Sequence, residues 1–326
     1  MNDQANETRP QSRLEHMPVA MFAIVMGLAG LALAIRQAEQ LWGVPHLASL
    51  LLTGITVAAY AGIVAAYSVK FLKYREAVTR EFNHPIRLSF FPAISIGLIL
   101  IAALLTPLSP PLATGLWTAG SAIQLLFTLL ILGEWMHQEH FEITHSNPAW
   151  FIPIVGNILV PVAGAPLGFI EVSWFFFSIG LVFWLVLLSI LMGRYFFHHP
   201  MPAKLLPTLF ILIAPPAVGF IAWVRLHNGL IDDAARILYY FGLFMTMMLF
   251  FQIRRFAVVP FGLPWWGYSF PLAAITIATM MMREATGLWL FGMLSVILLA
   301  ALIALLLVLV TRTLGAMKAG RICIPE

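Results

Sequence analysis

The sequence predicts an all-α membrane protein of ten transmembrane helices, and three observations carry that reading. Ten stretches of 17 to 24 residues contain no Asp, Glu, Lys, Arg or His. Hydrophobic residues make up 61% of the chain and charged residues 10%, with a mean hydropathy of +0.93; a soluble domain carries about a quarter charged residues. The prolines that fall inside the ten stretches occur in alternate stretches only.

The first sixteen residues form a polar N-terminal tail. The spans follow at 18–35, 47–69, 88–106, 112–133, 149–170, 173–193, 205–224, 237–253, 264–282 and 288–311, which makes residues 17–313 one transmembrane domain and 314–326 a C-terminal tail. About 20 apolar residues rising 1.5 Å each cross the roughly 30 Å hydrocarbon layer. Continuous apolar runs satisfy their backbone there as helices, since barrel strands alternate. Arg9 and Arg13 ahead of Ala32-Leu33-Ala34 also fit a cleaved signal, but the apolar stretch is long for one and its loss would leave nine spans.

Basic residues set the orientation. Arg9, Arg13, Lys70, Lys73, Arg75, Arg80, Arg87, Arg194, Lys204, Arg254, Arg255, Arg312, Lys318 and Arg321 share the side of the termini; Arg36, Arg225, Arg236 and Arg283 take the other, completing the 18. The positive-inside rule then puts both termini in the cytoplasm. The net charge of +4 is spread over loops with no basic run, so nucleic acid is not an expected partner. Cys323 is the single cysteine and cannot form an intramolecular disulfide.

Each odd-numbered span begins at or beside a proline, and four carry a second one seven or eight residues on: Pro85 then Pro92, Pro153 then Pro161, Pro207 then Pro215, Pro264 then Pro271. The first span has Pro18 and then reaches Gly27 and Gly30. This reads as five helical hairpins, each with one kinked and one regular helix. An interior proline removes a hydrogen bond and frees the carbonyl four residues earlier, here of Leu88, Asn157, Ile211 and Gly267. Irregular backbone at membrane depth is tolerated where protein buries it or where it lines a watery path. The odd helices, kinked at Pro92, Pro161, Pro215 and Pro271, are therefore expected inside around one axis, with the even helices against lipid.

Nothing in the spans makes an enzyme: no nucleophile has a base beside it, and no carboxylate pair is present. His137, Glu139, His140, Glu142 and His145 share one loop without the zinc-protease spacing, which fits a solvated loop; no metal and no cofactor is expected. No charged group lies within any of the ten spans, and proton relays normally need one. What remains along the odd helices is apolar or weakly polar, as at Ser89, Ser95, Asn157, Thr208, Ser269 and Thr276, a lining that passes ions by partial dehydration and closes on a bulky apolar plug. Residues one step before the aligned prolines, Phe91, Val160, Ala214 and Phe270, with Met26 before Gly27, are read with Asn157 as pore-lining. Trp265 and Trp266 read as interfacial belt residues. Phe270, just before the Pro271 kink, is from the residues alone either a packing ring or a gate.

His84-Pro85 leading to Phe91-Pro92, the segment from Pro148 through Pro153 to Asn157, the run from Leu209 to Pro215-Pro216, and Trp265-Trp266-Gly267-Tyr268-Ser269-Phe270-Pro271 together resemble the tellurite-resistance and dicarboxylate transporter family. That family includes bacterial TehA and the slow-type anion channels of plant guard cells. The resemblance covers about residues 17–315. It implies a homotrimer with one pore per subunit, five kinked inner helices ringed by five outer ones, and a ninth-helix phenylalanine closing the pore, which falls on Phe270. The first span lacks the Gly-Tyr or Gly-Phe that usually follows its proline in the family. The tails are shorter than in plant channels, so control by phosphorylation of a long N-terminal domain is not carried over. The expected function is a passive anion channel of a bacterial inner membrane, with small inorganic anions such as chloride or nitrate and membrane lipid as its partners. The alternative is a secondary transporter or exporter of C4-dicarboxylate, sulfite or tellurite, and a weaker third reading is a non-transporting scaffold.

Overall fold

The computed structural model describes residues 12–137 and 142–324, apart from the Ala257 side chain. Among the described residues every regular element is a helix. Eight of them are long and apolar enough to cross a membrane: α1 (Val19–Trp42), α2 (Leu47–Lys73), α3 (Arg87–Leu105), α4 (Pro110–His137), α6 (Ile170–Phe197), α7 (Ala203–Leu226), α8 (Asp233–Phe251) and α10 (Trp289–Lys318). Between them lie α5 (Pro148–Gly164), a shorter apolar segment, and α9 (Ser269–Thr286), whose last turn carries Arg283 and Glu284. These two occupy the stretches where the sequence predicts the fifth and ninth of ten spans; by length and composition the structure supports eight.

The prolines act differently from a simple kink. Each odd-numbered segment has tight 3₁₀ geometry ahead of its regular helix, at Val19–Met21, Arg87–Phe90, Ala203–Ile213 and, ahead of α9, Leu263–Tyr268; α5 has it twice, at Pro148–Trp150 and, after one α turn, at Val155–Leu159. Regular α-helix then starts within two residues of the aligned proline, at Ala93, Val160, Ala214 and Ser269. Proline suits a helix start, where its missing N–H would find no partner anyway. The i to i+3 bonds of 3₁₀ geometry also absorb carbonyls that the sequence leaves free. Leu88 O accepts from Phe91 N at 3.2 Å, Asn157 O from Val160 N, and Ile211 O from Ala214 N. Side chains of α4 take others: Gln124 donates to the Ile152 and Pro153 carbonyls at 3.3 and 3.0 Å, and Trp117 Nε1 donates to Val160 O at 2.9 Å.

Packing follows the five-hairpin pattern. Each odd-numbered helix lies against the even one that follows it, and the odd ones close a ring in which α1 touches α3, α3 touches α5, α5 touches α7, α7 touches α9 and α9 touches α1. Burial separates the two sets: 72%, 72% and 78% of the apolar windows of α1, α3 and α7 are buried, against 17% to 39% for α2, α4, α6, α8 and α10. Leu51, Leu129, Val182, Ile237 and Leu307 project outward from the second set, a surface that suits lipid and would aggregate in water. With α1 as one wall of the ring, its removal as a cleaved signal would open the core.

Lys70 behaves unlike the loop cation that the charge count takes it for. It sits in the last turn of α2, and its ammonium lies 2.7 Å from the carboxylate of Glu81 on the short helix Arg75–Phe82, both side chains 3% exposed. Glu81 also accepts from Val19 N at 2.6 Å and from the Tyr67 hydroxyl at 2.9 Å, while Lys70 donates to Met17 O at 2.7 Å. A residue 62 positions away thus caps the start of α1.

Candidate functional site

The five inner helices enclose a cavity of about 240 Å³. Each contributes one face at helical spacing, with Leu33 and Arg36 from α1, Leu100 and Ala103 from α3 and Thr106 just past its end, Leu159 and Val162 from α5, Val218 and Arg225 from α7, and Phe270 and Ala274 from α9. The wall is apolar around Phe270 and becomes polar toward the helix ends, where Gln37, Gln40, Arg36 and Arg225 stand. Among the described residues no carboxylate lines it. Arg36 is held in place: it donates to Leu104 O at 2.6 Å, capping the last turn of α3, and reaches Thr53 Oγ1 at 3.4 Å. Glu39, the nearest acid on α1, is turned away and accepts from Ala48 N and Ser49 N, both at 3.1 Å.

Phe270 is 8% exposed and bounds the cavity at its apolar end. Its other flank rests on α1 at the glycines that replace the second proline. A methyl group on Gly30 would lie 2.8 Å from Ala273 Cβ and 3.4 Å from Phe270 Cδ2, and one on Gly27 would lie 2.9 Å from Ser269 Cβ. Only glycine lets α1 approach α9 this closely, so the Gly27–Gly30 pair fixes the ring that bounds the cavity. Gly30→Ala should lower thermal stability in detergent by about 1–3 kcal/mol, the usual cost of overpacking a tight contact. A variant as stable as the parent would mean that the two helices are not in contact here.

Of the six residues that the sequence marks as pore-lining, the structure brings Phe270 alone to this cavity. Phe91 turns outward, its ring centroid 5.1 Å from Phe82, 6.4 Å from Tyr67 and 6.3 Å from Phe127. Asn157 is fully buried and donates to Thr128 of α4 at 2.9 Å. Val160 is fully buried beside Trp117, and Met26 and Ala214 are half-buried in the packed core. The reason is register. Regular helix begins one residue after Pro92, one before Pro161 and Pro215, and two before Pro271. At about 100° of turn per residue, aligned prolines do not set aligned faces. Most of the small polar residues are likewise spent elsewhere: Ser95 donates to Gln124 at 2.7 Å, and Thr208, Ser269 and Thr276 donate to backbone carbonyls three or four residues earlier, while the buried Ser89 hydroxyl has no partner among the described residues.

Two further readings change. Trp266 is no belt residue: it is 2% exposed, and its indole donates to Thr313 of α10 at 3.0 Å. Of the histidine-rich loop, Glu139 and His140 lie outside the described residues, and Glu142 and His145 close a local capping turn. The cavity arginines were missed because sequence spans drawn at the last uncharged residue stop at 35 and 224, whereas the helices run on to Trp42 and Leu226. The signal was there: Arg36 and Arg225 are two of only four basic residues on the minority side, each one residue beyond an odd-numbered span.

Residues 16–314 match the family model described as SLAC1, voltage-dependent anion channel. The chain belongs to the SLAC1/TehA family. Among its relatives is the S-type anion channel SLAH2 of Arabidopsis thaliana, 32% identical over 283 residues that cover 84% of this chain and 54% of the plant protein. The guard cell S-type anion channel SLAC1 of the same plant is 27% identical, over 83% of this chain and 50% of the relative. A tellurite resistance protein TehA homolog from Haemophilus influenzae is 30% identical over 79% of each chain. The chain thus spans about half the length of these plant relatives and most of the bacterial one. The family is one of anion channels and transporters, not of enzymes, and this member is a helical membrane protein.

Proposed function

We propose that the chain is a passive channel for small monovalent anions such as chloride and nitrate, closed by Phe270. The observation that carries this reading is the cavity itself: all five inner helices wall it, among the described residues two arginines and no carboxylate line it, and an aromatic ring bounds its apolar end. An anion entering among the arginines would have to shed water at a hydrophobic neck, which is costly, so an apolar ring closes the path without any charge. In the full reading ten segments cross a bacterial inner membrane, α5 and α9 included, and both termini face the cytoplasm because fourteen of the 18 basic residues lie on their side. Three subunits, each with its own path, form the oligomer. Met26 and Ala214, on the inner helices before the cavity begins, are proposed to line the path below Phe270. Reporters placed near Asp232 and at the C-terminus should lie on opposite sides of the membrane; finding both on one side would refute the topology.

The relative named for tellurite resistance supports a second reading, a carrier of sulfite, tellurite or C4-dicarboxylate. Anion efflux from proteoliposomes, comparing chloride, nitrate, sulfite and malate, separates the two. A channel passes the monovalent anions down their gradients without saturating at low concentration. Saturable, proton-driven malate or sulfite uptake would establish the carrier instead.

A further inference from the structure

Arg225 differs from Arg36 in one respect that matters for an anion. Both line the polar end of the cavity, but Arg36 is committed to Leu104 O and Thr53, whereas the Arg225 guanidinium makes no hydrogen bond or ion pair among the described residues. Gln37 and Gln40 line the same end and carry neutral amide donors, whereas the Thr106 hydroxyl beside them donates to Ala102 O at 2.8 Å. One carboxylate, Glu284 at the end of α9, is close enough to act on Arg225 electrostatically. No ion pair joins it to the guanidinium among the described residues, and Gln37 Nε2 donates to Glu284 Oε2 at 3.3 Å.

We infer that Arg225 is an anion-capture site for a small monovalent anion, and that Gln37 keeps it available by tethering Glu284, the built-in carboxylate that would otherwise occupy it. This deepens the channel reading and rests on it. A guanidinium recognises any small oxyanion or halide by charge-assisted hydrogen bonds, and Arg225, which is exposed where it lines the cavity, is open to an anion arriving from water. A carboxylate on a neighbouring helix meets the same donors at a high effective concentration, so it competes unless something holds it back. The amide of Gln37 is placed to do so. Losing the tether should therefore resemble losing the arginine, and neutralising the carboxylate should undo the loss.

The test has a binding arm and a conduction arm. In the first, detergent-purified full-length protein is titrated with sodium thiocyanate and its melting temperature followed, with sodium gluconate at matched ionic strength as control; a bound anion stabilises in proportion to ln(1 + [L]/Kd). Saturable stabilisation should appear in the parent, persist in Arg225→Lys, and weaken in Arg225→Gln and Gln37→Leu by about tenfold in apparent Kd, the scale of one charge-assisted contact. The double variant Gln37→Leu with Glu284→Gln should recover the parental Kd, which a merely structural role for Gln37 would not produce. In the second arm the same substitutions are placed on Phe270→Ala and the chloride concentration for half-maximal conductance is read. An unchanged Kd in Arg225→Gln, or no recovery in the double variant, overturns the capture site. If binding follows the expected pattern while Phe270→Ala passes no anion, the capture site stands and the channel reading falls. Conduction with no dependence on Arg225 in either arm sinks the capture site alone.

Discussion

Phe270→Ala should conduct anions without any stimulus, at about ten times the parental rate or more, because the residue removed is the apolar ring that bounds the cavity and that, in the proposed channel, would keep a hydrophobic neck dry. Phe270→Leu should retain most of the block, since a branched aliphatic chain still excludes water. The substitution is tolerable for the fold. Truncating a tightly packed Phe costs about 3–5 kcal/mol; here one face of the ring already borders empty space and the other rests on Gly30, so the cost should lie at the low end of that range. Single-channel recording in planar bilayers, with thermal melting as the control for folding, reads both effects. A folded alanine variant with parental conductance would make Phe270 a packing residue.

Lys70→Met and Glu81→Leu should each be severely destabilising, by about 3–5 kcal/mol, because each leaves the partner's charge buried at 3% exposure with nothing to neutralise it. Replacing both should recover much of the loss, since a well-packed apolar pair can match a buried ion pair. The recovery should be incomplete: without Glu81 the Val19 N–H at the head of α1 loses its acceptor, a cap worth about 1 kcal/mol. Melting temperatures of the four proteins in detergent form a double-mutant cycle. Additive losses in the double variant would mean that the two groups do not interact, against the 2.7 Å contact.

The inner and outer sets of helices were legible because proline and lipid impose one-dimensional signals. Proline cannot sit unnoticed in a helix facing hydrocarbon, so its confinement to alternate spans marks which helices the protein must bury, and the burial of α1, α3 and α7 agrees. Angular position was not legible. Leu100 comes eight residues after Pro92, Leu159 two before Pro161, Val218 three after Pro215 and Phe270 one before Pro271, yet all four line one cavity. Each 3₁₀ stretch has its own length, from Val19–Met21 to Ala203–Ile213, and turns its helix by a different amount before the regular part begins. Sequence alone could not have placed Phe91 against Tyr67 rather than in the path. The polar contacts were hidden for a related reason. Ser95–Gln124 and Trp266–Thr313 join segments distant in sequence, and an uncharged Ser or Gln in an apolar run signals neither its partner nor its face. Lys70 was misread because charge counting treats any cation near a helix end as solvated, and its partner Glu81 lies beyond the end of the helix.

The most direct test of the central claim, a passive anion path through the inner ring, is the reversal potential of Phe270→Ala in a planar bilayer under a chloride gradient, with and without a superimposed pH gradient. The account predicts a reversal potential at the chloride equilibrium value that does not move when the pH gradient is applied. A reversal potential that follows the pH gradient, or the cation gradient in place of chloride, would contradict it.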